Sequence, residues 1–187
     1  MALIELWNGD ICDLEVDAIV SPANPSLWMA TGVGGAIKRT GGDAIEFAAV
    51  RQGPIGLGEA VVTAAGTLAA RIVIHAVSLD RDRRTSGQLI EQAARSAMAR
   101  ARENNVVSIA FPALGTGVGG FPLDEGARIT VSTVRDEASR SPGLNTVVFA
   151  LRGAAAYHAF EAALAAEARA LDAAPTPADS ASARPRA

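Results

Sequence analysis

The amino-acid sequence predicts an α/β fold, a three-layer α/β/α sandwich around a mixed, largely parallel central sheet. Three observations carry that expectation. Short, partly β-branched runs alternate with stretches of helical period, the signature of strands joined by covering helices. The length, 187 residues, suits one domain with a substantial core. Apolar residues make up 49% of the chain and aromatics only 4%, so helices and strands are expected to approach closely over small side chains.

Each element follows in order. ALIELW (2–7) and VDAIVS (16–21) end at turn formers, Asn8-Gly9-Asp10 in the first case and Pro22 with Asn24-Pro25 in the second, so both read as strands. GVGGAIKRTGG from Gly32 forms a short helix closed by Gly41-Gly42, and GDAIEFAAVRQG (42–53) continues as a second. GEAVVTAAG (58–66) and ARIVIHAVSL (70–79) form a neighbouring strand pair. Between Thr85 and Asn104, Leu89, Ile90, Ala93, Ala94, Ala97, Met98 and Ala101 recur at three and four, the helical period. VVSIAF (106–111) is a strand, and PLDEGARITVSTVRDEAS opens a helix with Pro122 expected at its first position. NTVVFAL (145–151) is a strand and AAAYHAFEAALAAEARAL (154–171) a helix. Residues 1–172 are thus expected to form one domain. Residues 173–187, rich in Pro, Ala and Ser without a core period, are expected to be a disordered tail.

Charge and cysteine content narrow the function. Lys and Arg total 17 against 20 Asp and Glu, a formal net charge of -3, which argues against bulk nucleic-acid binding. Cys12 is the only cysteine, which excludes an internal disulfide and points to a reducing compartment. MALIELWNGD lacks the basic start and apolar run of a signal peptide, and no stretch approaches the ~18 apolar residues of a membrane span. A cytoplasmic protein without membrane contact is expected. No metal-ligand spacing is present and no cofactor is expected; nothing sets an oligomeric state.

Ligands of open α/β sheets bind outside the carboxyl ends of the strands, where loop amides and helix N-termini converge. Several polar or glycine-rich segments fall at such ends: Asp10, Ser21-Pro22-Ala23-Asn24, Gly32-Val33-Gly34-Gly35, and Gly115 to Gly120 before the helix near Pro122. Two glycine-rich helix entrances suggest two walls of an anion site. Taken singly each has a plainer reading: Asp10 as a turn or cap residue, the glycines as steric necessities, Asn24 as a turn initiator. His75, within IVIHAV, reads as a packed core histidine, and Cys12 as a small buried residue.

Together, GDI (9–11), VDAIVSPAN (16–24), GVGGAI (32–37), IVIHAV (72–77), SIAFPALGTGVGGFP (108–122) and VVFAL (147–151) resemble the macro domain, an ADP-ribose-binding α/β/α module. The resemblance covers about residues 2–170 and rests on the order and spacing of the six segments. It implies that Asp10, with the Ile11 amide beside it, accepts a hydrogen bond from the adenine amino group. It places Asn24 against the distal ribose, Gly32, Val33 and Gly34 in one phosphate-side loop, and Gly115, Thr116, Gly117, Val118 and Gly119 in the other. The implied partner is ADP-ribose, free or carried on a macromolecule.

The departures bear on catalysis. Hydrolytic members resembling deacetylases carry an aspartate where this chain has Gly34, and a second subgroup uses a lysine and an aspartate near the places of Leu79 and Gly119. The usual first asparagine of the Asn-Ala-Ala-Asn segment is Ser21, and its first alanine is Pro22. An aromatic often found in the second loop is replaced by Gly119, with Phe121 close by, and the adenine-stacking aromatic by Leu151 or Arg152. A guanidinium can lie flat on a base. ADP-ribose binding is therefore the first expectation. The alternative is hydrolysis of acetyl or ADP-ribosyl esters by substrate-assisted attack, with Asn24 as the candidate catalytic residue. A remote alternative takes Gly115 to Gly120 as the GxGxxG of a nicotinamide-dependent oxidoreductase, although the next strand ends in Leu151-Arg152-Gly153 and supplies no acidic residue for the ribose.

Overall fold

Alternate residues of the central strands enter different cores, and this alternation builds the layers. A computed structural model describes residues 2–172; the expected tail at 173–187 lies outside the described residues. Six strands, β1 (Leu3–Asn8), β2 (Ala18–Ala23), β3 (Ala60–Ala64), β4 (Ile72–Val77), β5 (Ser108–Phe111) and β6 (Thr146–Leu151), form one sheet in the order β1-β6-β5-β2-β4-β3. The pairings are parallel except that of β3 with β4. The helices are α1 (Gly32–Gly41), α2 (Asp43–Val50), α3 (Gly87–Glu103), α4 (Leu123–Ser139) and α5 (Ala154–Asp172).

One face of the sheet presents Val20, Ile74, Ile109, Phe111, Val147 and Phe149 to α3, α4 and α5. Phe149 lies at its centre, its ring 6.3 Å from that of Phe111 and 5.1 Å from that of Phe160. The other face presents Ile19, Val73, Ala110 and Val148 to Ile37 of α1 and Ile45 of α2. The expected α/β fold with a mixed sheet is therefore observed, with helices on both faces.

The seven apolar residues whose spacing predicts a helix over 85–104 are all buried on α3. Ser86 caps that helix, its Oγ accepting from the Leu89 amide at 3.2 Å. Arg95 of α3 joins Glu91 to Asp136 and Glu137 of α4, and Arg102 reaches the buried Glu137 at 2.7 Å. Several hydrogen bonds thus satisfy a carboxylate that would be costly to bury alone.

Three boundaries differ from expectation. Pro122 is the residue before α4 rather than its first helical residue. A single 3-10 turn, Ile11–Asp13, follows β1. The second strand runs on through Pro22 to Ala23. Proline is tolerated there because β2 pairs with β5 only at Ala18 and Ile19, while its pairing with β4 continues to Ala23; past Ile19 one edge of β2 carries no ladder.

His75 in β4 is fully buried, with Nε2 2.9 Å from Thr63 Oγ1 on β3. Burial pushes its pKa down to about 4, so the native protein holds the neutral ring. The unfolded chain takes up a proton near pH 6.5. Stability from this group is therefore full above pH 6.5 and declines as the pH falls toward 4, by about 1.4 kcal/mol per pH unit in that window. Urea unfolding between pH 7 and 4.5 is expected to show this loss, and His75→Gln is expected to flatten it while lowering stability at pH 7.

Candidate ligand-binding cleft

Where β2 and β5 part, the chain has gone from β2 out to β3 and β4 on one side and returned through α3 to β5 on the other. Such a switch point leaves a crevice at the carboxyl edge of a sheet. In spatial order along that edge lie Asp10 after β1, Arg152 after β6, the Pro112–Gly120 loop after β5, Asn24 after β2, and Leu79 to Arg83 after β4. The crevice between β5 and β2 is a cleft of about 400 Å³, lined by Asn24, Gly32, Val33, Gly34, Gly115, Gly117, Val118 and Gly119 among others.

Backbone amides dominate its walls. Thr31 precedes α1 with extended backbone, and its side chain makes no capping bond; the first helical bond runs from the Gly35 amide to the Thr31 carbonyl at 3.1 Å. The amides of Gly32, Val33 and Gly34 therefore stand at the positive end of the helix without helical acceptors. Across the cleft, the Gly120 amide bonds Gly117 O at 3.0 Å and the Phe121 amide bonds Gly115 O at 3.1 Å, closing the loop on itself. Among the described residues, the amides of Val118 and Gly119 donate to no protein acceptor, while residues 114–116 form a hydrogen-bonded turn beside them.

The second wall is thus a folded loop and not the helix entrance the sequence suggests. The first turn of α4 carries Asp124 and Glu125, which occupy the favourable end of its dipole. The glycines of this loop also differ in purpose. A Cβ on Gly119 would stand 2.6 Å from Gly115 O and 2.8 Å from Leu79 Cδ2, so that position is closed by packing. A Cβ on Gly117 would meet nothing within 4 Å, so its bareness serves no internal contact.

One residue expected at the ligand, Phe121, lies elsewhere, and Thr116 belongs to the loop by its backbone alone. Thr116 Oγ1 donates to Ala113 O at 3.1 Å, and the side chain lies toward Gly126 of α4. The Phe121 ring packs against the core beside Gly87 and Gly126, outside the cleft. Leu151 is buried under α5, so Arg152 is the strand-end residue that reaches the edge.

At the β1 end, Asp10, Ile11, Val33, Ala150 and Arg152 surround a small hollow of about 20 Å³. Asp10 caps the 3-10 turn and borders this hollow: Oδ1 accepts from the Cys12 amide at 3.0 Å, and Oδ2 from Arg152 Nη2 at 2.8 Å. The Cys12 amide, helped by the Arg152 guanidinium, holds the Asp10 carboxyl below the usual carboxylate range. Burial, reinforced by that carboxylate, pushes the Cys12 thiol up to about 11, which leaves it an inert thiol.

At the other end, Asn24 Oδ1 accepts from the Ser26 amide at 3.0 Å and from Ser26 Oγ at 2.7 Å. Its amide nitrogen is left as a donor, able to hold a hydroxyl or a water oxygen and unable to take a proton from either. The cleft also receives Pro22 and Leu79, together with Trp28, Arg81 and Arg83, which the sequence did not single out. Trp28 had one legible signal: a large aromatic with no apolar period around it, in the loop after a strand. Among the described residues lining the cleft there is no carboxylate, imidazole, thiol or amine. No group of three or more metal-ligating side chains occurs among the described residues either.

A similar hollow of about 310 Å³ lies at the opposite edge of the sheet, between Ala101, Val106, Ser141 and Leu144. The Arg102 guanidinium at its wall is already engaged by Glu137.

Known proteins share this architecture. An uncharacterized protein of Mycobacterium tuberculosis is 45% identical over 166 residues, which are 89% of this chain and 46% of that one; the chain spans less than half the length of this mycobacterial relative. A Klebsiella pneumoniae protein named O-acetyl-ADP-ribose deacetylase is 44% identical over 151 residues, 78% of this chain and 86% of its own length. A crystal structure of a Trypanosoma brucei macrodomain in complex with ADP-ribose superposes with a TM-score of 0.80 at 30% identity, covering 86% of this chain and 68% of the other. The family model of the macro domain matches residues 20–130, more than half of the sequence, and the chain therefore belongs to the macro domain family.

Proposed function

We propose that this chain binds ADP-ribose in the trough along the carboxyl edge of its sheet. The observation that carries the reading is the pair of amide walls, Gly32 to Gly34 on one side and Gly117 to Gly119 on the other, facing a cleft at the parting of β2 and β5. Amides and a helix N-terminus bind a diphosphate without a lysine, provided no side chain blocks the approach. The adenine lies at Asp10 and Ile11 and the distal ribose beside Asn24. The hollow at Asp10 is too small for a base as it stands, so Arg152 leaves Oδ2 on binding; the carboxylate then accepts the adenine amino group and the guanidinium lies over the ring. The named activity of the Klebsiella relative and the ADP-ribose in the Trypanosoma structure support this reading.

Calorimetric titration with ADP-ribose is expected to give about micromolar affinity, with AMP weaker. Asp10→Ala is expected to cost roughly tenfold or more through loss of a charge-assisted hydrogen bond. Gly117→Ala places a methyl in open space, so it is expected to weaken binding roughly tenfold through lost amide contacts while thermal unfolding stays unchanged. Gly119→Ala is expected to lower the unfolding temperature as well. Absence of ADP-ribose binding by the folded wild-type protein would overturn the assignment.

A second reading, hydrolysis of an acetyl or ADP-ribosyl ester in the same cleft, is favoured by the Klebsiella relative's name. With no proton acceptor among the described lining side chains, attack by water held at Asn24 relies on the substrate's own diphosphate to take the proton. Position 34 tests this. A Cβ there stands 3.4 Å from Ser21 Oγ and 3.8 Å from Met29, ordinary contact distances that leave room for it. Gly34→Asp is expected to raise turnover of O-acetyl-ADP-ribose, toward the ~10²- to 10⁴-fold typical of general-base help. Unchanged turnover with ADP-ribose binding retained would remove position 34 from the water's path.

A further inference from the structure

The cleft does not end at Asn24. Asn24, Trp28 and Arg81 line both it and a second, more open hollow of about 660 Å³ that continues beyond the place of the distal ribose, over Val50 and Pro54. We propose that this second hollow is a nucleotide subsite, which holds the base and phosphate of a nucleotide joined to the distal ribose of the bound ADP-ribose. The inference rests on the binding reading above and names the class of group that carries the ADP-ribose.

The recognition elements are the Trp28 indole and the Arg81 guanidinium, which line the second hollow, with Arg83 on the adjoining cleft. Trp28 is 55% exposed, which leaves a large apolar ring in water at the junction of the two hollows. Its backbone is nevertheless fixed. Leu27 before it is buried in a left-handed conformation, φ 62, and the Met29 amide after it donates to Glu46 Oε2 at 2.7 Å. Glu46 is itself buried, on the otherwise apolar segment of α2, and takes a second bond from Lys38 Nζ at 2.6 Å. A buried carboxylate is expensive; here it is spent on holding the loop that displays Trp28.

The arginines are displayed in the same manner. Asp80 Oδ1 accepts from the Asp82 and Arg84 amides, each at 2.8 Å, and folds residues 80–84 into a tight loop. Arg83 sits in that loop with φ 62, a strained conformation for a residue with a side chain. Arg84 is neutralised by Asp80 and Asp82. Among the described residues, Arg81 and Arg83 form no ion pair, and both face the cleft.

An exposed indole beside unpaired arginines is the combination that binds single-stranded nucleotides, the base stacking on the ring and the phosphate pairing with the cation. A carboxylate-rich peptide would answer the arginines and leave the indole bare. The net charge of -3 is compatible, since one or two nucleotides are bound and not a duplex. Such a nucleotide has two sources, the end of a nucleic-acid strand or a further ADP-ribose unit in a chain.

The test uses protein first brought to saturation with ADP-ribose, then titrated with the 5′-phosphorylated dinucleotide pTpT, with ADP, and with a tetraglutamate peptide. Quenching of tryptophan fluorescence and calorimetry read binding. Binding of pTpT or ADP is expected, with quenching that disappears in Trp28→Ala and an affinity about tenfold lower in that variant and in Arg81→Ala/Arg83→Ala. Trp28→Phe is expected to retain most of the affinity, which a merely structural role for the indole would not predict. Preference for pTpT assigns a nucleic-acid end; preference for ADP assigns an ADP-ribose chain. No effect of either nucleotide, or equal binding of the peptide, would overturn the subsite. If ADP-ribose itself does not bind, the binding reading fails, and the same titrations on ligand-free protein still report on Trp28.

Discussion

The parting of β2 from β5 after Ile19 is the constraint on which the rest of this molecule depends. Below that point the two strands share a ladder and the sheet is continuous. Above it each strand follows its other neighbour, β2 to β4 and β5 to β6, and the gap between them is the floor of the cleft. Parallel topology then aligns the carboxyl ends of β1, β6, β5, β2 and β4 along one edge. Asp10, Arg152, the glycine loop, Asn24 and the Arg81–Arg83 loop come into a row without being near one another in sequence.

Within this row the protein divides its work between backbone and side chains. The centre of the cleft is walled by backbone amides, a way of meeting an anion that works without a cation and needs bare glycine at the approach. Side chains appear only at the ends, an ionised Asp10 at one and Asn24, Trp28, Arg81 and Arg83 at the other. The contrast between Gly117 and Gly119 separates two positions that look alike in sequence: one glycine stands open to the cleft, the other leaves room for the loop itself.

The middle of the cleft has consequences for chemistry. Asn24 can orient a hydroxyl or a water, and no described lining side chain can take its proton. Any hydrolysis here draws its proton acceptor from the substrate. The far end is richer in side chains, Asn24, Trp28, Arg81 and Arg83, the last three on loops held by the buried Glu46 and by Asp80.

The elements were legible in the sequence because period and turn chemistry are local: the seven apolar residues of α3, the β-branched runs, and the glycines closing α1 all keep their expected places. Asp10, Asn24 and both glycine loops were legible as strand-end residues for the same reason. Tertiary structure alone decided the rest. It turned the Thr116 side chain and Phe121 into packing groups, because the loop closes on itself through the Phe121 amide. It chose Arg152 over Leu151, since alternation along β6 sends Leu151 under α5. It carried β2 through Pro22, where the missing ladder makes a missing donor harmless. And it brought Trp28 and Arg81 together, about fifty residues apart, because β2 and β4 are neighbours only in the folded sheet.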